Sequence, residues 1–307
     1  MIVRQRLISP IIILTVLLGG TASSQSISIW TGNNFDHTLF LEVIQPHAIN
    51  RKSLAVKEAE MRGHDVPEFY PEHFINGASY PVDYESLNTT IFFLSYQKRL
   101  NPQWHIKADL PYARIDFDTK IAHDYSFYHY AGYEHSVGNP YIGGQYTPTS
   151  WFAMRFGTRL PLLTENYIHI SQFCAYAAMD RFEAFRKNAS AQFMWTFQLR
   201  HKSGLGIQLE NGFIYFFPRG HYRGPWWHIP ANLSIGLVSK RLSLECFVHL
   251  RYDSRGIIRD YDHLAGMMGL AAAVQLGRLR PGFQTSLTTN GGAKIYNYGV
   301  ILGYIIE

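Results

Sequence analysis

Apolar and polar side chains alternate along most of this chain, in runs of about a dozen residues. That is the signature of a β-strand with two unlike faces. In the run 151–163, Phe152, Met154, Phe156, Thr158, Leu160 and Leu162 share one face, and Ala153, Arg155, Gly157, Arg159 and Pro161 share the other. In 188–201 the odd positions Ala189, Ala191, Phe193, Trp195, Phe197 and Leu199 are apolar, whereas the even ones are polar apart from Met194. In 242–252, Leu242, Leu244, Cys246, Val248 and Leu250 oppose Ser243, Glu245, His249 and Arg251. Similar runs cover 86–98, 103–117, 137–147, 204–217, 227–240, 264–277, 279–289 and 294–306, and a weaker one lies near 39–44. With that weak one the pattern predicts twelve strands.

The connections between the runs alternate in length. Arg99-Leu100-Asn101-Pro102, Thr147-Pro148-Thr149-Ser150, Lys202-Ser203, Arg241 and Arg278 are tight. The segments 46–85, 118–136, 164–187, 218–226, 253–263 and 290–293 are longer, the last only modestly. Short turns at one end and long loops at the other predict an all-β fold, a 12-stranded antiparallel transmembrane β-barrel of outer-membrane type. Closure follows from the solvent: in hydrocarbon each unpaired backbone group costs several kcal/mol, and only a closed sheet has no edge. Two local expectations go with this reading. In 103–117 the apolar set moves from Ile106, Ala108 and Leu110 to Ile115 and Phe117 across Pro111, which predicts a bulge there. Segment 172–187 is expected to form a short helix packed at the mouth, and 53–62 a short amphipathic helix in the first long loop.

Composition adds the destination. Aromatic residues are 15 % of the chain and charged residues only 17 %, a balance that strands and membrane interfaces favour. Arg4 and Arg6, the apolar stretch Leu7 to Leu18 and the small residues Gly19 to Ser24 have the layout of a secretory signal peptide. The expected division is therefore a signal peptide over 1–24 and one barrel domain over 25–307. Its removal lowers the formal charge from +5 to +3, too small a bias to argue for nucleic acid. No later stretch has the uncharged apolar length of a membrane helix. Cys174 and Cys246 make no disulfide framework and are read as free thiols.

Three short motifs, Ala108-Asp109-Leu110-Pro111-Tyr112, Val137-Gly138-Asn139-Pro140-Tyr141-Ile142-Gly143 and Arg159-Leu160-Pro161-Leu162, resemble the outer-membrane transporter-like barrels of the phenol-degradation meta-pathway type. Order and spacing match over about residues 86–165. Asn139 stands where that family usually has Asp, and Leu162-Leu163 replace its Thr-Gly. The resemblance implies an outer-membrane pore for small, often hydrophobic molecules and names no particular substrate.

The inward face of the predicted barrel supplies the candidate site. Lys107, Asp109, Arg155, Arg159, Glu210, Glu245, His249 and Arg251 are the expected lumen- or solute-lining residues, with Arg155 and Arg159 at a constriction. The bland alternative is a salt-bridged polar filling, as such interiors are polar in general. His123, His129 and His135 lie in the segment 118–136, but a spacing of six matches no recognised ligand pattern, so no metal is expected. An enzymatic alternative rests on His169-Ile170-Ser171 with Glu183 about a dozen residues on, the arrangement of a barrel lipid hydrolase with a serine nucleophile. A structural barrel binding a partner through its loops is the third reading. The favoured expectation is passive uptake of a small organic solute across the outer membrane, without a cofactor. Its partners are outer-membrane lipid, the solute and, through the last strand, the barrel-assembly machinery, and loops 46–85 and 164–187 gate the mouth.

Overall fold

A computed structural model describes residues 37–48, 73–75, 78–80, 82–123, 126–163, 170–186, 188–218, 226–239, 241–254, 264–290 and 293–306. The segment 1–24 expected to be a signal peptide, the helix expected over 53–62 and most of loop 46–85 lie outside the described residues. The strands are β1 (His37–Ala48), β2 (His73–Ile75), β3 (Ala78–Tyr80), β4 (Val82–Arg99), β5 (Trp104–His123), β6 (Ser126–Val137), β7 (Tyr141–Thr149) and β8 (Phe152–Arg159). After a helical segment follow β9 (Ser190–Arg200), β10 (Leu205–Phe216), β11 (Trp226–Val238), β12 (Leu242–Asp253), β13 (Leu264–Val274), β14 (Leu279–Asn290) and β15 (Ala293–Ile306). Strands β2 and β3 form a separate small hairpin.

The rest make one closed antiparallel barrel. Apart from β6 and β7, each strand pairs with the next barrel strand in sequence, and β15 closes on β1 from His37 opposite Ile306 to Ala48 opposite Ile295. Strands β6 and β7 share one position in the wall. Strand β5 pairs with β7 over Trp104–Asp109 and with β6 over Tyr112–His123, and residues 138–140 break the strand between the two. Counting that pair once gives the twelve expected staves.

The alternation read from the sequence is the alternation between lumen and lipid. Along β12, Leu242, Leu244, Val248 and Leu250 are exposed on the outside, and Ser243, Glu245, His249 and Arg251 are buried inside. The same division holds on β9, β10 and β11. A closed cylinder with Leu, Ile, Val and Phe outward has the lipid-facing band of a membrane barrel. The protein is an outer-membrane β-barrel. His37 and Ile306, the outer ends of β1 and β15, lie at the end with the tight turns, where Gly204 takes a φ of +91° and a Cβ would lie 2.4 Å from the Val238 carbonyl oxygen. At Leu100–Gln103 the Asn101 side chain accepts from the backbone N–H groups of Gln103 and Trp104, both at 2.9 Å.

Two expectations are corrected. No bulge occurs at Pro111: the β4–β5 register runs unbroken from Ser86 opposite Asp118 to Arg99 opposite His105, and the one irregularity lies between Tyr84 and Ser86. Face parity is kept throughout, so Ala113, Ile115 and Phe117 point inward and Arg114 and Asp116 outward. The apolar pattern inverts because the surroundings do. Arg114 and Asp116, paired at 3.0 Å on the exposed face, have passed beyond the apolar band, while the interior at that height is filled with protein. The second correction concerns 118–136, which is no loop: β5 and β6 continue as a hairpin to the pair His123 and Ser126.

Candidate functional site

Segment 170–186 lies inside the barrel. It comprises a π-helical turn over Ile170–Cys174, an α-helical turn over Ala175–Ala177 and a 3-10 stretch over Met179–Phe185. The helix expected over 172–187 is thus a chain of short turns, seated in the lumen rather than over its mouth. Alanines at 175, 177, 178 and 184 let the backbone approach the wall, and Phe173, Phe182 and Phe185 fill what remains. The wall facing them is apolar: Ile44, Ile91, Phe93, Ala113, Ile115, Phe117, Ile214, Phe216 and Ile295 form one buried cluster with the plug. The polar lumen expected from the sequence is therefore interrupted at the plug, and even toward the tight turns Phe40, Ala153, Ala273 and Ile305 are buried among the polar side chains.

Polar contacts tie the plug to staves around the circumference. The Arg181 guanidinium pairs with Glu42 of β1 and stacks 3.6 Å from the Phe93 ring centroid. Gln284 of β14 donates to the other Glu42 oxygen at 2.8 Å. Arg251 of β12 covers Phe182 at 3.5 Å and donates to the Met179 carbonyl at 3.4 Å. Asn297 of β15 donates to the Ala177 carbonyl at 3.0 Å, and the Ile170 N–H donates to Glu134 of β6 at 3.0 Å. Burial pushes the Glu183 carboxyl and the Cys174 thiol above their ordinary ranges, the former opposed by nearby Arg159.

The centre of the anchorage is Asn139, in the break between β6 and β7. Its side-chain amide donates to the carbonyls of Glu183, Arg186 and Asn188, and its side-chain oxygen accepts from the Leu163 N–H at 3.1 Å. Its own N–H donates to the Ala184 carbonyl at 2.6 Å. One buried residue thus holds both ends of the inserted segment. Gly138 permits this, since a Cβ there would stand 2.4 Å from the Ala184 oxygen. Arg159 clasps Asp109 through two bonds of 2.7 and 3.1 Å and donates to the Asn139 carbonyl at 2.9 Å. The three short motifs of the sequence meet here, through Asp109, Gly138-Asn139 and Arg159. The Tyr141 ring lies flat in space left by Gly143 and Gly157, whose Cβ atoms would come within 2.1 and 2.4 Å of it.

All eight lumen candidates face inward and are buried. Arg155 and Glu210 pair at 3.1 Å, and Lys107 lies in the field of both. Arg155 and Glu210, with Gln192, Asn232 and His249, join Asp180 and Glu183 of the plug around a small cavity about the size of a water molecule, whose lining Met194, Ile214 and Pro230 complete. Asp109 and Arg159 belong to the clasp, Arg251 to the plug contact, and Glu245 stands on the wall opposite Ala271. Arg155 and Arg159, expected at a constriction, are both held in ion pairs. Sequence reasoning missed Glu42 and Arg181. Glu42 carried a signal, a carboxylate at an inward position of β1; Arg181 lay in an apparent loop and carried none.

The remaining candidates fare differently. Of the three histidines in 118–136 only His135 has a described side chain, and it stacks on Tyr133 at 5.8 Å. His169 lies outside the described residues. Ser171 belongs to the plug's first turn inside the lumen, and Glu183 stands 4.0 Å from Arg159. Cys174 is buried in the plug whereas Cys246 is exposed on the lipid face, so the wall separates the two thiols. This yields a test of closure. In a Cys246→Ser background, Cys174 is expected to resist a membrane-impermeant maleimide. Asn139→Ala is expected to raise its labelling rate about tenfold or more, because several backbone bonds, each worth about 1 kcal/mol, are lost together.

No protein-family model and no curated protein sequence matches the chain. Among solved structures it resembles the COG4313 outer membrane channel from Pseudomonas putida F1, with a TM-score of 0.50 and 10% identity over 89% of this chain and 96% of that one. Further likenesses are to LpxR from Salmonella typhimurium (TM-score 0.46, 9% identity, 88% of this chain and 100% of that one) and to the Ralstonia pickettii toluene transporter TbuX (0.45, 7%, 94% and 97%). The fold is that of an outer-membrane β-barrel. At such identities the likeness concerns the fold alone.

Proposed function

We propose that the protein is an outer-membrane channel for passive uptake of a small organic solute, held closed in this state by its own segment 170–186. The observation that carries this reading is the way the plug is held. The segment is hung from the wall by buried hydrogen bonds and ion pairs centred on Asn139, with no strand pairing to make it part of the sheet. The motifs that resemble the phenol-degradation meta-pathway type supply that anchorage, which supports placing the chain beside that group. A solute passing where the plug now sits would meet Ile91, Phe93, Ile115 and Phe216 first, then Arg155, Gln192 and Gln208 below. That sequence of surfaces suits a small molecule with an apolar body and a polar end.

Liposome flux tests the reading. Purified wild type and Asn139→Ala are reconstituted, and the influx of small aromatic and aliphatic solutes is followed. The variant is expected to pass solutes several-fold faster than wild type. Absence of flux in both, with barrels intact by heat-shifted migration, would overturn the proposal in favour of a structural role. Lipid hydrolysis in detergent that disappears in Ser171→Ala would overturn it in favour of a hydrolase.

A further inference from the structure

The described tight turns at one end of the barrel are basic. The tight turns and their strand ends carry Lys98, Arg99, Arg200, Lys202, Arg241 and Arg278, and none of the turn sequences 98–103, 147–151, 200–205, 239–242 and 275–279 contains Asp or Glu. These cations outnumber the formal charge of the whole chain, +5. Among the described residues toward the opposite end both signs occur, as in Arg114 paired with Asp116 at 3.0 Å. Lys98, Lys202, Arg241 and Arg278 are exposed, while Arg99 and Arg200 reach toward the Asn101 and Val238 carbonyls of the same rim. Aromatic and apolar side chains that mark the lipid interface lie beside them. Trp104 packs on Tyr146 at 4.8 Å, Trp151 on Phe197 at 6.2 Å, and Leu199 is 70% exposed.

We propose that this rim is a binding ring for the phosphate headgroups of anionic phospholipid in the leaflet that faces the periplasm. The short turns of such barrels face that compartment, and basic clusters beside a bilayer are drawn to anionic headgroups. The girdle fixes the depth: rings at headgroup level place the neighbouring ammonium and guanidinium groups against lipid phosphates rather than in the pore.

Tryptophan quenching tests this with the mature chain in phosphatidylcholine vesicles containing either brominated phosphatidylglycerol or brominated phosphatidylcholine. Trp104 and Trp151 report from the rim. The anionic lipid is expected to quench about threefold more effectively at equal mole fraction, and 0.5 M salt, chosen to shrink the Debye length to about 4 Å, should erode the preference. The combined substitution Lys98→Gln, Arg200→Gln, Lys202→Gln, Arg241→Gln and Arg278→Gln is expected to abolish it, and Arg114→Gln, at the other end, to leave it unchanged. Equal quenching by the two lipids in wild type overturns the proposal, whether or not the multiple variant folds. So does a preference that survives in the folded variant, or one that millimolar inorganic phosphate removes, since the site would then serve a soluble anion.

Discussion

Replacing residues 170–186 by a short Gly-Ser linker is expected to raise single-channel conductance by about an order of magnitude in planar bilayers. Barrels of about 8 strands are filled by their own side chains, and those of 16–18 leave a wide aqueous channel. A twelve-stranded wall lies between, so what its interior holds decides whether it conducts. Here the upper interior holds Phe173, Phe182, Phe185 and the alanines packed around them. Their removal exposes Ile91, Phe93, Ile115 and Phe216 to water, at roughly 25 cal/mol per Å² of apolar surface. The deletion should therefore both conduct more and unfold at lower temperature. The competing outcome is specific. Should conductance stay at the wild-type level, the seal lies lower, in the layer of Arg155, Glu210, Gln192 and His249, and the plug is a stabilising filling rather than a gate. A conductance jump in the deletion combined with Arg155→Ala alone would mark the two as seals in series.

The strands were legible because a period of 2 against lipid leaves little freedom: a shift of one residue would turn Arg155 and Glu210 into hydrocarbon and Phe193 into the lumen. The same logic set the number of staves and the sidedness of the turns. It failed at Pro111 because the rule of apolar outward holds only where lipid is outside. Above that band Arg114 and Asp116 meet water, and Ile115 and Phe117 meet the plug. The plug itself was legible only as a loop with some helical character. Its burial depends on contacts remote in sequence, such as Arg181 with Glu42 and Ala177 with Asn297, and no local pattern records a partner more than a hundred residues away. The short motifs announced that residues 108–112, 137–143 and 159–162 matter. What they do, which is to hold an inserted segment at Asn139, becomes visible only when the strands bring Asp109, Asn139 and Arg159 together.

Arg159→Met is expected to destabilise the barrel by about 3–5 kcal/mol, the usual cost of stripping one partner from a buried ion pair. Asp109 would then be left as a buried carboxylate without its two guanidinium bonds, and the Asn139 carbonyl would lose a donor. The double variant Asp109→Leu with Arg159→Met should recover much of that loss, because removing both charges also removes the desolvation penalty. Urea unfolding in detergent, followed by the intrinsic fluorescence and by heat-shifted migration, gives both values. The decisive quantity is the difference between single and double variants. If the double variant is as unstable as Arg159→Met alone, the Coulombic clasp contributes little, and the bond from Arg159 to the Asn139 carbonyl carries the effect. In that case the double variant should also leave Cys174 open to maleimide, since the anchorage of the plug would have gone with that bond. If stability returns while Cys174 stays protected, Asn139 holds the plug unaided, and the ion pair serves the wall between β5 and β8.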